Sequence, residues 1–225
     1  FFHAEDGIRD RSPSRGLGDV YKRQILKRPE ISRIVLAKGM WATGGGAQIF
    51  LLIIIGMEAD FGDISTGAAG IGVLYMARGF GSGFGPIVTR PLMTVTRYMP
   101  YIIGLSLGGA GLLYVGVSQA EWGIWTLVLV FFSHGCSGIS WVFSTTLLQR
   151  RTDNDWMGRV AGTDNLIIVL TMGVSTIAAG YILEEGLVTL REILFVTGLV
   201  QLTVGALWLL LASPREKAFI SSRAV

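Results

Sequence analysis

The sequence predicts an all-α, polytopic membrane protein with six transmembrane helices, and three observations support this class. Only 16% of the 225 residues are charged, whereas soluble domains average about 25%. The mean hydropathy is +0.54. Six long apolar runs follow residue 25, and each is close to the roughly 20 residues with which a helix crosses a bilayer.

The first 24 residues are left out of that prediction. Residues 4–10 (AEDGIRD) and 14–24 (SRGLGDVYKRQ) look like translated sequencing adapter, and the three codons between them fit an index sequence. We therefore expect residues 1–24 to be an artefact without structure. The chain then enters its gene within the reading frame, without the true N-terminus. The alternative is a disordered basic N-terminal tail.

The first three predicted spans cover residues 34–57, 64–88 and 98–120. The first has no charge from residue 39 to residue 57. The second carries one charge, Arg78, within a ladder of glycines. Glycines spaced in this way let another helix backbone approach closely inside a membrane. The third span is entered through Pro100.

The last three predicted spans cover residues 122–149, 160–183 and 193–214. The fourth is the longest and holds His134 and Cys136 near its centre. The fifth carries Asp164 in its second turn. One cysteine permits no disulfide framework, and two histidines with one cysteine give no metal-site spacing. We therefore expect neither a metal nor a cofactor.

Basic residues concentrate in the loops on one side of the predicted bundle, with 12 there and only Arg191 on the other side. The 12 are Lys27, Arg28, Arg33, Lys38, Arg90, Arg97, Arg150, Arg151, Arg159, Arg215, Lys217 and Arg223. This asymmetry predicts that both ends of residues 25–225 are cytoplasmic. Trp122 and Trp125 suit an aromatic belt at the outer face.

Three stretches carry a family resemblance. Residues 36–47 (LAKGMWATGGGA), 74–86 (LYMARGFGSGFGP) and 147–162 (LLQRRTDNDWMGRVAG) resemble parts of major facilitator superfamily transporters. They correspond to the seventh helix, the eighth helix, and the loop between helices ten and eleven. Residues 25–225 thus resemble the C-terminal half of such a transporter, with the strongest similarity to bacterial drug:proton antiporters.

Four residues of the second span also resemble the family's antiporter signature: Gly72, Gly81, Gly85 and Pro86. Thr89 and Arg90 stand where the signature ends in two glycines. The signature normally lies on the fifth helix, which pseudo-symmetry relates to the eighth at the seam between the halves. Close packing alone is the competing explanation. If this helix lines the seam, part of its glycine surface should be exposed and Arg78 should lack a partner.

The resemblance implies half of a twelve-helix secondary transporter in the bacterial inner membrane. The whole protein would export a small molecule by alternating access coupled to a proton gradient, and it would not be an enzyme. The expected partners are the lipid bilayer, a missing N-terminal six-helix half and a small-molecule substrate, with no nucleic acid. Three spans followed by three more also permit an inverted repeat. A rhomboid-like intramembrane serine protease and a complete six-span channel or scaffold are the alternatives.

Arg78 is the first candidate for substrate or coupling chemistry, because an ionised side chain within a membrane is costly and usually faces a cavity. It is expected to bind an anion, gate a cavity or pair with an acid. The alternative is a side chain that reaches to the cytoplasmic face. Asp164 is a candidate partner, or else a residue that polarises the start of its helix. The partner of Arg78 lies equally well in the missing half.

His134 is a second candidate, since its pKa in the neutral range suits a proton relay. The alternative is a simple hydrogen bond to a neighbouring helix. Four further residues are candidates to line a cavity: Gln48, Ser137, Ser140 and Trp141.

The segment from residue 150 to residue 159 mixes both signs of charge at the predicted cytoplasmic surface. Its candidate gating residues are Arg150, Arg151, Asp153, Asp155 and Arg159. Arginine–aspartate locks across such a loop would hold one transport state, and contact with anionic lipid is the alternative.

Two motifs imitate other sites. Residues 79–85 (GFGSGFG) fit neither of the phosphate-binding patterns G-x-G-x-x-G and G-x-x-x-x-G-K-[ST], and they lie within a predicted span. The tetrapeptide 135–138 (GCSG) resembles the nucleophile motif of rhomboid proteases. A nucleophilic Ser137 needs a base within hydrogen-bond reach, but residues 193–214 hold no histidine and His134 lies on the same helix.

Overall fold

The structure, a computed structural model, describes residues 28–62 and 67–222. These residues form an all-α bundle, as predicted. Its six long helices are α1 (Pro29–Glu58), α2 (Ala68–Thr89), α3 (Met99–Gln119), α4 (Ile124–Arg151), α5 (Asn154–Glu184) and α6 (Leu190–Leu207). Two short 3-10 turns, Arg90–Thr94 and Thr96–Tyr98, join α2 to α3. A π-helical turn, Trp208–Ala212, carries α6 into α7 (Ser213–Ser222).

Five helical segments of the described chain are long and apolar enough to cross a membrane: Pro29–Glu58, Thr96–Gln119, Ile124–Arg151, Asn154–Glu184 and Leu190–Ser221. These are the helices of a membrane protein. The predicted second span, α2, is not among the five, because Arg78, Pro86 and its many glycines lower its hydropathy. It packs between α1 and α4 all the same.

Several helices extend beyond the predicted spans. Helix α1 begins at Pro29, α5 begins at Asn154, and the sixth span continues through α7. An apolar run marks only the part of a helix within the hydrocarbon, whereas backbone hydrogen bonds continue into the polar region. The predicted start of the second span at residue 64 and the predicted artefact, residues 1–24, lie outside the described residues.

Glycines set the closest helix contacts. A Cβ atom added at Gly81 or Gly85 would collide with the carbonyl oxygens of Phe131 and Gly135 on α4. Helices α3 and α6 approach each other in the same way at Gly111. Such backbone-to-backbone packing replaces the hydrophobic driving force that is absent between helices in lipid.

Two apolar clusters hold the bundle together. One contains Ile34, Phe143 and Leu147, and the other contains Leu51 and Val130. Along both α1 and α4 the buried members of these clusters are separated by about three helical turns or more. Lys38 of α1 and His134 and Ser140 of α4, which are buried polar residues, lie between the two clusters along these helices.

Candidate functional site

A cavity of about 320 Å³ lies between α1, α2 and α4, and α5 completes it through Met172. Five of the predicted site residues line it: Gln48, Arg78, His134, Ser137 and Trp141. The other lining residues are Trp41, Gly45, Ile49, Ser82, Gly138 and Val142. The fold therefore gathers candidates from three helices into one site. A larger groove of about 420 Å³ beside α5 and α6 holds none of them.

Arg78 reaches this cavity from the middle of α2. Its Nε atom is buried without a hydrogen-bond partner among the described residues. The guanidinium lies 5.6 Å from the centroid of the Tyr75 ring, within cation–π distance. The ion pairs of the described chain do not include Arg78. Arg78 thus has no ion-pair partner among residues 28–62 and 67–222, and a partner in a second half stays a prediction.

Three contacts fix the position of Arg78. The Tyr75 hydroxyl donates to the carbonyl oxygen of Ile49 at 2.9 Å, which ties α2 to α1. The Ser82 hydroxyl donates to the Arg78 carbonyl oxygen, also at 2.9 Å. On α4, Gly138 leaves space for the backbone of Ser82. These contacts hold the part of α2 that carries Arg78 against α1 and α4.

The glycines of α2 lie on two faces. Gly81 and Gly85 pack on α4, whereas a Cβ atom at Gly72, Gly79 or Gly83 would meet open space. The expected exposed glycine surface is therefore present. The antiporter-like residues do not form one surface. Gly72 faces open space, whereas the other three lie on the side of α4: Gly81, Gly85 and Pro86.

His134 is buried on the α4 wall of the cavity. Its Nδ1 lies 3.2 Å from the carbonyl oxygen of Val130, one turn earlier on the same helix, rather than against a neighbouring helix as expected. A nitrogen facing a carbonyl carries the proton, so in the neutral ring Nε2 is the acceptor. The ring also meets Tyr114 of α3 edge-on, with centroids 5.9 Å apart.

Asp164 pairs with Lys38, so its predicted pairing with Arg78 is wrong. Lys38 Nζ and Asp164 Oδ2 are 2.5 Å apart, and the two side chains are only 7% and 9% exposed. The other alternative, a role at the start of the helix, is also wrong because α5 begins well before Asp164, at Asn154.

Lys38 is one of the 12 basic residues that the sequence assigns to the cytoplasmic side, although residue 38 also lies within the predicted first span, 34–57. Its ammonium group also donates to Thr145 Oγ1 at 3.1 Å and lies 4.7 Å from the centroid of a Trp141 ring. The pair and its neighbours thus join α1, α4 and α5. Trp141 separates this charge pair from the cavity.

Gln201 of α6 is a second buried polar residue that sequence reasoning missed. In the amide orientation that satisfies its neighbours, its nitrogen donates to Gln48 Oε1 at 3.2 Å and its oxygen accepts from Trp41 Nε1 at 3.3 Å. Trp41 and Trp141 then meet edge-to-face with centroids 6.1 Å apart. A lone glutamine within the sixth apolar run was the available signal.

Ser140 does not line this cavity. Its hydroxyl donates to the Ser137 carbonyl oxygen at 2.9 Å, and the residue lies in a narrow crevice behind Trp141, beside Lys38 and Ile103. The prediction of Ser140 as a cavity liner is therefore wrong for this cavity, whereas Ser137 does line it.

The predicted gating loop is mostly helix, since α4 ends at Arg151 and α5 begins at Asn154. Asp155 and Arg159 therefore lie in the first two turns of α5. Arg150 donates to Thr96 Oγ1 at 2.8 Å.

Arg151 pairs with Glu216 of α7 rather than with an aspartate of the loop. Glu216 is fully buried and also accepts from Arg33 Nε at 2.6 Å. Asp153 pairs with Arg28, 3.3 Å away, at the start of α1. The arginine pairs at this end thus tie α1, α4 and α7 together. Arg151 does not form the predicted arginine–aspartate pair, whereas Asp153 does form one, with Arg28; a gating role for these residues stays a prediction.

Comparisons of the chain with protein-family models, with curated proteins and with solved structures found no match. The resemblance to major facilitator transporters rests on the three stretches quoted above, and the site is interpreted from its own geometry.

Proposed function

We propose that the protein is a secondary transporter of the major facilitator kind, in which this chain forms one six-helix half. The cavity around Arg78 is part of the substrate path. The observation that carries this proposal is a cation in the middle of a helix that faces a polar and aromatic cavity without an ion-pair partner in the described chain. Charges inside a membrane typically mark substrate or ion paths.

The exposed helix faces also support the proposal. Gly72, Gly79 and Gly83 of α2 face open space, and only 11% of the apolar window of α5 is buried. Helices α2 and α5 both contribute to the cavity. A second half packed on these faces would enclose it, and rocking of the two halves would then expose it to each side in turn.

The architecture is tested by the reading frame upstream of residue 25. Six further apolar spans in the same frame are expected. A start codon directly before α1 would contradict the two-half architecture and favour a complete six-span channel or scaffold.

Transport is tested in inverted vesicles that contain the product of the complete reading frame and are acidified inside by ATP hydrolysis. A pH-sensitive dye should report loss of the gradient when an exported probe is added, with ethidium and 2-naphthoate as a cationic and an anionic probe. Arg78→Gln should abolish the response, while Arg90→Gln, at the exposed end of the same helix, should keep it. Equal responses in vesicles without the protein would refute transport of these probes.

The protease alternative is less well supported by the site. His134 Nδ1 is engaged by its own helix, and the serine of the protease-like motif, Ser137, is three residues away on that helix. Cleavage of a model transmembrane substrate that is lost in Ser137→Ala would overturn the transporter proposal.

A further inference from the structure

The cavity carries a positive charge that the described chain does not neutralise. Among its lining residues only Arg78 and His134 are ionisable bases, and none is a carboxylic acid. The nearby cation Lys38 is neutralised by Asp164 at 2.5 Å on the far side of Trp141. A cationic ligand would therefore meet repulsion in this cavity, whereas an anionic one would meet attraction.

The guanidinium is also short of acceptors. It offers five N–H donors, and its Nε is buried and unpaired. A buried donor without an acceptor is destabilising. Carboxylate, sulfonate and phosphate groups supply paired oxygens that fit the guanidinium fork.

The opposite wall is aromatic. Trp41 and Trp141 meet at 6.1 Å and 63° and so form a corner of two indole rings. Trp41 is oriented by Gln201, and Trp141 packs against the Lys38 ammonium. A cavity of about 320 Å³ lies at the lower end of the range for small-molecule sites. This wall suits a flat apolar group of one or two rings.

We propose that the cavity binds a small ligand in which an anionic group is attached to a flat apolar ring. The anion binds Arg78, and the ring packs against Trp41 and Trp141. Gln48 and His134 are available for further polar groups of the ligand. The inference rests on the proposed function only for movement of the ligand across the membrane, and the binding step stands on the cavity itself.

The test measures binding to the full chain in nanodiscs of zwitterionic lipid by isothermal titration calorimetry. The three probes share a ring system and differ in charge: 2-naphthoate, 2-naphthamide and 2-naphthylmethylamine. The naphthoate should bind at least about tenfold more tightly than the amide, as expected for one charge-assisted hydrogen-bond pair. The amine should bind most weakly.

Two variants locate the anion site. Arg78→Gln should lower the naphthoate affinity to that of the amide, and Arg78→Lys should recover part of it because the charge remains without the fork. Arg90→Gln is the matched control and should bind like the unmodified protein. Thermal unfolding of each variant shows whether it is folded.

Each remaining outcome overturns the inference. These outcomes are equal affinity for the three probes, naphthoate binding unchanged in a folded Arg78→Gln variant, and no naphthoate binding to the folded protein. Naphthoate affinity that disappears when phosphatidylglycerol is added to the nanodisc would assign the anion site to a lipid headgroup, and would also overturn it.

The two proposals fail separately. Ethidium-driven proton flux without naphthoate binding would keep transport and reject the anionic ligand. Naphthoate binding without flux of any probe would keep the ligand site and reject transport.

Discussion

Two cations inside the bundle, Lys38 and Arg78, lie on either side of Trp141. They differ in burial, since Lys38 is buried and Arg78 is half-buried, and in what surrounds them. Lys38 has a carboxylate at 2.5 Å, a hydroxyl at 3.1 Å and an indole ring at 4.7 Å. Arg78 has one tyrosine ring at 5.6 Å and a buried, unpaired Nε. The two residues belong to neighbouring helices, α1 and α2.

This difference indicates that the charge of Lys38 stabilises the fold, whereas the charge of Arg78 is available to a ligand. Because the Lys38 ammonium group bonds to residues of α4 and α5, removal of Lys38 should affect folding first. Arg78 faces an open cavity and contributes few contacts to the fold, so its removal should affect ligand binding first. An unpaired charge within a membrane is unfavourable, which makes an external partner for Arg78 the simplest reason for its presence.

The largest expected effect on stability comes from removing the carboxylate partner of Lys38, which leaves it unpaired as Arg78 is. Asp164→Ala leaves a buried ammonium without its carboxylate and should lower the free energy of unfolding by about 3–5 kcal/mol. The measurement is loss of helical circular dichroism during titration of mixed micelles with a denaturing detergent. The double variant Lys38→Met/Asp164→Leu should recover most of the loss. A single variant as stable as the native protein would show that the pair is not structural.

The second prediction concerns the close packing of α2 on α4. Gly85→Ala places a Cβ atom against the Gly135 carbonyl oxygen, so α2 must move and the stability should fall by about 1–3 kcal/mol. The control Gly83→Ala faces open space and should be neutral or stabilising by up to about 1 kcal/mol. The same detergent titration measures both. Equal effects of the two substitutions would contradict the two-faced packing of α2.

A third substitution tests the second acceptor of Lys38. Thr145→Val removes the hydroxyl that lies 3.1 Å from Nζ and should cost about 0.5–1.5 kcal/mol. Thr146→Val is the matched control, because that hydroxyl bonds only within α4, to the Val142 carbonyl oxygen at 2.8 Å. A larger loss in the control than in Thr145→Val would place the stabilising polar contact elsewhere.

The smallest effect on stability should come from Arg78 itself. Arg78→Met replaces the unpaired charge by an unbranched apolar side chain, so the free energy of unfolding should stay within about 0.5 kcal/mol of the native value or rise. Detergent titration measures this, and calorimetry should show loss of naphthoate binding in the same preparation. A loss of stability comparable to that of Asp164→Ala would give Arg78 a structural role and erase the contrast with Lys38.

The sequence predicted the helices better than the pairing of their charges. Long apolar runs located the six helices, and the single charge in the second run singled out Arg78. Five cavity residues were named because polar or aromatic side chains within a span are conspicuous. The partners were missed because pairing depends on which helix faces contact. Lys38, 126 positions from Asp164, and Gln201, 160 positions from Trp41, meet their neighbours only in the folded bundle.

The prediction for the basic residues at this end of the bundle was incomplete for a related reason. Positive residues near span ends were assigned to loops, as the positive-inside rule suggests. Arg151 is instead buried against Glu216. No local pattern marks a glutamate beyond the last apolar run as an interior residue. The π-helical turn at Trp208–Ala212 that precedes it also departs from the regular α-helical spacing on which such patterns depend.

The position of Glu216 also sets an order of assembly. Its partner Arg33 lies 183 residues earlier, so the ribosome makes the two halves of this cluster at very different times. Until α7 emerges, Arg33 and Arg151 lack their shared carboxylate, and the starts of α1 and α7 and the end of α4 are not yet joined. Final closure of this end of the bundle is therefore a late step of biosynthesis, which follows insertion of all six long helices.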